Sequence, residues 1–163
     1  MAADEGSGTP YAARMRKVWF WIVGRTGTSL LARWLHAPLY RWTGGAGGLG
    51  RSLGNLTVLL TTIGRRSGKQ RTMAIWAYPD GDALVVVGSY GGRHRTPGWV
   101  YNLRAQPEAT VQVRREVRRV RAHEAAGEEY ERLWRLVVAS YAGYEAYVQW
   151  ANRVIPLVVL EPA

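Results

Sequence analysis

The sequence predicts a mainly β domain with short helices, in which six antiparallel strands form a small closed or split barrel. Runs of β-branched residues, bounded by Gly, Pro and Asp, recur from Leu56 to Leu160. In an open sheet such strands would leave two exposed edges, and closure into a barrel removes them. The chain has 163 residues, 47% of them hydrophobic and 21% charged, which suits one domain with a buried core.

The residues before the barrel divide by composition. Residues 1–10 are small and polar, which predicts a disordered tail. Residues 11–42 interleave apolar, Trp and basic side chains, which predicts amphipathic helices that either lie in a lipid headgroup layer or pack on the domain. Because residues 44–54 contain six Gly, we interpret 11–54 as a basic helical segment with a Gly-rich linker and 55–163 as the barrel domain.

Three strands are predicted at the start of the barrel domain. Leu56–Ile63 is rich in β-branched residues, and residues 71–78 and 83–89 show the same composition. The Asp-Gly pair within residues 79–82 predicts a hairpin between the second and third strands. A loop is predicted over residues 90–96.

Prolines bound the next element, a short helix predicted over residues 97–105, since proline suits a first helical turn and a later proline stops the helix. Two strands are expected to follow, at residues 109–114 and 116–122. The second of them alternates apolar residues with arginines, as a half-exposed strand does. Its apolar positions are Val117, Val120 and Ala122.

Two helices and a strand complete the predicted domain. Residues 124–140 begin with acidic residues and carry an apolar face, and a second helix is expected over residues 143–153. Residues 155–160 predict the last strand. Pro156 places that strand at a sheet edge or places the proline at the strand start.

The charge lies in the N-terminal half. Residues 1–71 hold eleven Lys and Arg and two acids, a net charge of +9, whereas residues 72–163 carry only +1 of the total of +10. No carboxylate occurs between Glu5 and Asp80. The expected partner of this half is therefore anionic: phosphate, an acidic cofactor tail, nucleic acid or lipid headgroups.

Composition also excludes several kinds of chemistry. The chain has no Cys, and its three His are too far apart for a ligand pair, so neither a disulfide nor a structural metal is expected. Apolar runs are too short for a spanning helix or a secretory signal, which predicts a cytoplasmic protein. No carboxylate pair or Ser-His-Asp set is visible, so an enzyme of this sequence would depend on a cofactor.

A cationic turn is the most specific local feature. Gly64–Arg71 contains four cations between two predicted strands. Its two glycines allow backbone N–H groups to converge, Ser67 adds a hydroxyl, and Arg66 and Arg71 can fork onto phosphate oxygens. The alternative is a solvated hairpin tip without a ligand.

Two further features are candidate binding elements. Ser89 and the Gly91-Gly92 pair end a strand before the predicted helix, where backbone donors and a helix N-terminus could meet a planar polar ring. A single loop histidine, His94, is more typical of a solvated surface. Three tyrosines and Trp150 recur at intervals of three, which fits either core packing or a wet pocket rim. The tyrosines are Tyr141, Tyr144 and Tyr147.

Together these motifs resemble the deazaflavin-dependent nitroreductase family. The resemblance covers about residues 56–162 and consists of several separate motifs in the family's order. They are the Gly-Arg-Arg-Ser-Gly-Lys-Gln-Arg turn within 60–72, Asp80-Gly81-Asp82, Ser89 with Gly91-Gly92, the Pro-Gly-Trp-Val-Tyr-Asn-Leu stretch within 97–108, the three tyrosines, and residues 155–162.

The resemblance implies an FMN-binding split-barrel-like fold that binds coenzyme F420. It also implies hydride transfer from the reduced deazaflavin to an electron-poor acceptor such as a quinone, a nitroaromatic or an enone. The alternatives are a barrel that binds FMN, and a non-enzymatic polyanion or nucleic-acid binder, of which nucleic acid is the less expected partner. Because the basic N-terminus is similar to that of members working at membranes, residues 11–42 are expected to contact anionic lipid peripherally on the inner face of the cell membrane.

The resemblance also implies site residues. The cofactor phosphate would be held by Arg66, Ser67, Gly68 and Arg71, with Arg65 and Lys69 assisting at the oligoglutamate tail. The deazaflavin ring would be surrounded by Ser89, Gly91, Gly92, Trp99 and Asn102. The acceptor side would be lined and closed by Tyr141, Tyr144 and Tyr147, with Ser89 orienting an acceptor oxygen.

Overall fold

A computed structural model describes residues 56–163 of the chain. The predicted tail at residues 1–10, the amphipathic helices and lipid contact at 11–42 and the Gly-rich linker at 44–54 lie outside the described residues. In the described part of the chain, no helix is long and apolar enough to cross a membrane.

Six antiparallel strands close into a barrel, which confirms the predicted fold class. Closure follows from the strand order β1-β2-β3-β6-β5-β4, in which β4 also pairs with β1. The strands are β1 (Leu56–Ile63), β2 (Gln70–Asp80), β3 (Ala83–Val87), β4 (Glu108–Val113), β5 (Glu116–Glu124) and β6 (Leu157–Pro162).

The helical elements lie between the strands in the predicted order. A short 3-10 turn follows β3, α1 precedes β4, and α2 and α3 connect β5 to β6. Their bounds are Tyr90–Gly92 for the 3-10 turn, Gly98–Ala105 for α1, Gly127–Ser140 for α2 and Gly143–Ala151 for α3.

The core divides between the two faces of the barrel wall. One buried cluster draws side chains from all six strands, so it fills the barrel interior, and α1 completes it with Trp99, Val100 and Leu103. The second cluster lies on the opposite face of β3 and β6, where α2 contributes Leu133 and α3 contributes Tyr144. The helices α2 and α3 are therefore fixed to the outside of one part of the wall.

Several predicted boundaries differ from the observed ones for identifiable reasons. β5 continues to Glu124, which pairs with Val158 of β6, so α2 begins three residues later than predicted, at Gly127. β6 begins after Pro156, whose carbonyl accepts a hydrogen bond from the Gly88 N–H, so the proline precedes the strand start.

Val117 lies on the outer surface of the barrel, which corrects its grouping with Val120 and Ala122. The Val117 side chain is 62% exposed, whereas Val120 and Ala122 are buried. Side chains alternate strictly along a strand, so an odd-numbered position cannot share a face with two even-numbered ones. The predicted hairpin is confirmed, because Asp80 pairs with Ala83 across a turn in which Gly81 has φ of +60°.

Candidate cofactor and acceptor site

The cationic turn joins β1 to β2 and is closed by its own backbone. The Gly64 N–H donates to the Lys69 carbonyl at 2.8 Å, and the N–H groups of Ser67 and Gly68 donate to the Gly64 carbonyl. A Cβ on Gly64 would lie 2.8 Å from the Ser67 hydroxyl oxygen, and Gly68 has φ of +64°. Both glycines are thus required by the shape of the turn.

The N–H groups of both glycines are already used inside the turn, so they do not themselves face an anion. The side chains of its four cations and of Ser67 are all exposed. Within residues 56–163 none of the four cations pairs with a carboxylate. These side chains are Arg65, Arg66, Ser67, Lys69 and Arg71.

Asn102 attaches this turn to α1. Its side-chain oxygen accepts a hydrogen bond from the Arg65 N–H at 3.1 Å, and its amide donates to the Thr62 hydroxyl at 3.1 Å. Asn102 is only 9% exposed. Trp99, one turn earlier on α1, packs in the barrel core. Two of the residues expected at the ring, Trp99 and Asn102, are therefore buried, and Asn102 supports the cationic turn.

Residues 88–97 connect β3 to α1 and include the residues expected to surround the deazaflavin ring, so we call them the ring segment. Part of this segment has an unusual backbone conformation. Tyr90, Gly91 and Gly92 have φ values of +52°, +64° and +74°. The Gly92 N–H donates to the Ser89 carbonyl at 3.1 Å. Ser89 is 9% exposed, and in the part of the chain that the structure describes its hydroxyl makes no hydrogen bond.

Gly92 brings the ring segment against α3. A Cβ at this position would lie 3.0 Å from the Trp150 ring and 3.3 Å from the Tyr147 ring. Only glycine allows this close approach. The structure thus places the segment that begins at Ser89 next to the helix that carries two of the predicted acceptor tyrosines.

The three tyrosines form one aromatic cluster that runs from core to surface. Ring centroids lie 5.2 Å apart for Tyr141 and Tyr144 and 5.9 Å apart for Tyr144 and Tyr147, and the Trp150 ring lies 5.7 Å from that of Tyr147. Tyr144 is buried and Trp150 is 50% exposed. Core packing is therefore confirmed for Tyr144, whereas the pocket rim stays a prediction.

Two β2 residues that the sequence reasoning missed complete this cluster. The Tyr78 hydroxyl donates to the Tyr144 hydroxyl at 3.0 Å, and the Trp76 ring meets the Tyr141 ring edge-on at 5.6 Å. Tyr78 lies 66 residues before Tyr144. The alternation of side chains along β2 shows which face Tyr78 occupies but not its partner on α3.

Burial disfavours ionisation of two phenols of this cluster. Loss of solvation raises the pKa of Tyr144 well above its usual range, and the neighbouring Tyr78 adds to the effect. Desolvation likewise raises the pKa of Tyr141, aided by its contact with Tyr147. At neutral pH these side chains are therefore neutral hydrogen-bond donors.

His94 and a surface cleft are two further possible sites, one from the sequence and one from the fold. His94 is exposed, as predicted, although its Nδ1 lies 3.0 Å from the Ala151 carbonyl oxygen at the end of α3. A cleft of about 290 Å³ on the barrel wall contains none of the predicted site residues. Its lining is Leu59, Thr61, Gln70, Thr110, Gln112 and Val117.

Comparison with known families identifies the relationship. The family model of the F420H(2)-dependent quinone reductases matches residues 32–162. The chain belongs to this family. As an F420H(2)-dependent quinone reductase family member it is an oxidoreductase, and the deazaflavin resemblance seen in its motifs is confirmed.

Individual relatives agree. A curated F420H(2)-dependent quinone reductase from Mycobacterium tuberculosis is 34% identical over 146 residues, which cover 86% of this chain and 95% of that protein. A solved F420-H2 dependent reductase, FDR-A, is 35% identical with a TM-score of 0.60, over 64% of this chain and 93% of its own. A second solved chain, a domain-swapped dimer, is 32% identical with a TM-score of 0.62, over 78% and 97% of the two chains. The family favours F420 over FMN as the cofactor.

Proposed function

We propose that this family member transfers hydride from reduced coenzyme F420 to a quinone. The observation that carries the proposal is a turn with four exposed cations, none of which has a carboxylate partner within residues 56–163. Such a turn suits the phosphate and oligoglutamate tail of this cofactor. When bound, reduced F420 supplies the hydride.

Two elements of the chain bind different parts of the cofactor. Arg66 and Arg71 hold the phosphate with the Ser67 hydroxyl, and Arg65 and Lys69 attract the carboxylates of the tail. Arg65 is steadied by the Tyr101 ring, which lies 4.8 Å from its guanidinium carbon. Gly68 contributes by allowing the turn to close rather than by donating its amide.

The ring and the acceptor lie against the Ser89–Gly92 segment and the tyrosine cluster. The buried Ser89 hydroxyl, without a partner in the described region, is free to donate to an acceptor oxygen. The phenols of Tyr141, Tyr144 and Tyr147 add donors and exclude water. Because negative charge develops on a quinone oxygen as hydride arrives, donors fixed in advance at that oxygen lower the barrier.

Titration with coenzyme F420 tests the cofactor assignment. We expect wild-type protein to bind F420 in a fluorescence titration, with excess FMN unable to displace it. Arg66→Ala combined with Arg71→Ala should weaken binding at least 100-fold, about 2.7 kcal/mol, because two phosphate contacts are lost. A matched double variant, Arg115→Ala with Arg119→Ala, removes the same charge from exposed positions in the β4–β5 hairpin, outside the cationic turn, and should bind within threefold of wild type.

The outcomes separate the alternatives. Equal binding by the Arg66/Arg71 variant and its control would overturn the phosphate assignment. Displacement of F420 by FMN would favour the FMN alternative. Tight, steeply salt-dependent binding of an oligonucleotide in place of F420 would favour a polyanion binder.

The finer acceptor and membrane assignments are part of the same proposal. Nitroaromatics and enones share with quinones an electron-poor π system and an oxygen for the Ser89 hydroxyl, so we expect slower turnover of both. The amphipathic pattern of residues 11–42 supports peripheral contact with anionic lipid. Co-sedimentation with phosphatidylglycerol vesicles checks this contact, and full recovery in the supernatant would contradict it.

A further inference from the structure

The Gly88–Arg95 segment, which contains the Ser89 hydroxyl, has an unfavourable backbone conformation. Tyr90, Gly91 and Gly92 are three successive left-handed residues. A bulky side chain such as Tyr90 occupies this region only when its surroundings require it. The two hydrogen bonds within the turn, from Gly92 N–H to Ser89 and from Arg93 N–H to Tyr90, are 3.1 and 3.4 Å long. The conformation therefore needs support from elsewhere in the fold.

Arg153 supplies that support from just beyond the C-terminal end of α3. Its guanidinium donates hydrogen bonds to five backbone carbonyls, four of which belong to the Gly88–Arg95 segment. Nη2 donates to Gly88 at 3.0 Å, to Ser89 at 3.2 Å and to Arg95 at 3.2 Å, Nε donates to Arg93 at 3.3 Å, and Nη1 donates to Val154 at 3.1 Å.

The partners of Arg153 distinguish it from an ordinary surface arginine. Among the described residues, no carboxylate pairs with it. Its side chain is half-buried, and desolvation lowers its pKa. Within residues 56–163, backbone carbonyls accept all the hydrogen bonds of this charged group. A planar fork of five donors is available from arginine but not from lysine.

The same segment meets α3 at two more points. Gly92 packs against Trp150, and the His94 ring lies 3.0 Å from the Ala151 carbonyl oxygen. α3 also carries Tyr144 and Tyr147. Arg153, two residues beyond the end of α3, therefore connects the segment of Ser89 to the helix of the phenols.

We propose that Arg153 is a positioning residue that holds the Ser89–Gly92 segment against α3. In this position the Ser89 hydroxyl and the tyrosine phenols contact the same deazaflavin ring and acceptor. The inference rests on the proposed function for its catalytic consequence. Arg153 acts through the segment it holds, while the cationic turn at residues 64–71 retains the cofactor by separate contacts.

Amide hydrogen exchange of the protein without cofactor tests the positioning directly. We compare wild type with Arg153→Lys, which keeps the charge but replaces the planar fork of five donors by three donors on one nitrogen. Arg135→Lys is the control, at an exposed position on α2. Peptides covering residues 88–95 should exchange at least tenfold faster in Arg153→Lys, with the strands unchanged. Arg153→Gln is the second variant should the lysine variant not fold.

Single-turnover kinetics test the consequence for the reaction. Because the cationic turn is intact, Arg153→Lys should bind reduced F420 within threefold of wild type, while oxidation of bound F420 by menadione should slow at least tenfold per occupied site. A merely structural defect would lower the occupied fraction without changing that rate constant.

Two results would overturn the inference: exchange of residues 88–95 equal to wild type, or an unchanged single-turnover rate constant. Failure of the wild-type protein to bind F420 would instead contradict the proposed function. The exchange comparison would still decide whether Arg153 holds the segment.

Discussion

Ser89 lies two residues after the end of β3. Its hydroxyl is buried, and within residues 56–163 it has no hydrogen-bond partner, although burying such a group costs about 1–3 kcal/mol. Under the proposed function, an acceptor oxygen supplies the missing partner. The hydroxyl then serves the reaction and adds nothing to the stability of the free protein.

We predict that Ser89→Ala leaves the unfolding midpoint unchanged or slightly raised and lowers kcat/KM for a quinone about 10²-fold. Thermal unfolding and steady-state kinetics check this directly. Ser140→Ala is the control, because that hydroxyl already donates to the Leu136 carbonyl on an exposed part of α2. A loss of stability in Ser89→Ala with unchanged kinetics would contradict the assignment.

The buried phenols predict an alkaline limit to stability. Burial raises the pKa of Tyr141 and Tyr144 above the ordinary value of 10.0. Above pH 10 the unfolded chain loses these protons first, so stability present below pH 10 is lost as the pH rises toward the folded-state pKa. The midpoint of wild type should therefore fall more steeply between pH 9 and 11 than that of Tyr141→Phe/Tyr144→Phe. Tyr101→Phe, an exposed control, should follow wild type, and parallel curves for all three would contradict the prediction.

Residues with local partners could be found in the sequence, and those with distant partners could not. The cationic turn is continuous in sequence, and the tyrosines follow a helical period, so both were predicted. Tyr78 and Arg153 were missed because their partners lie 66 and about 60 residues away. No short-range pattern reports which strand face meets which helix end.

At the level of elements, α1 acts as a strut between the barrel and the cationic turn through Asn102. We predict that Asn102→Ala destabilises the protein by about 1–3 kcal/mol, because it leaves the Arg65 N–H and the Thr62 hydroxyl without partners. It should also weaken F420 binding, since the turn is released. Urea unfolding and a fluorescence titration measure the two effects.

Thr62→Val separates those effects. It removes the second contact of Asn102 but leaves the one to the turn. We expect a similar loss of stability with F420 affinity within threefold of wild type. Equal affinities for Asn102→Ala and Thr62→Val would show that the strut does not affect the turn.

Element types were predictable where the chain carries strong stop signals. The Asp80–Ala83 hairpin and α1 were found because Asp-Gly and proline restrict the backbone whatever surrounds them. The start of α2 was placed too early, because Glu124 is held in β5 by pairing with β6. Because β5 and β6 are separated in sequence by two helices, no short sequence pattern near Glu124 indicates that they pair.

The barrel as a whole depends on its last strand. Leu160 is 1% exposed, pairs with Leu84 and Ala122 on its two sides, and packs in the interior cluster. We predict that Leu160→Ala costs about 2–5 kcal/mol in urea unfolding. Val117→Ala, on the outer surface, should change the free energy of unfolding by less than about 0.5 kcal/mol. Similar values for the two variants would contradict the assignment of inside and outside.

The arrangement of Tyr141 to Arg153 has a consequence for how such proteins diversify. This short stretch contains the phenols that we propose line the acceptor and the arginine that we propose positions the Ser89–Gly92 segment. The cationic turn lies near the other end of the described residues, between β1 and β2. Substitutions in this one stretch between α2 and β6 can therefore change the electron acceptor without changing the residues proposed to bind the cofactor. Exchanging this stretch between two relatives should transfer the acceptor preference of one protein to the other while the cofactor-binding turn stays unchanged.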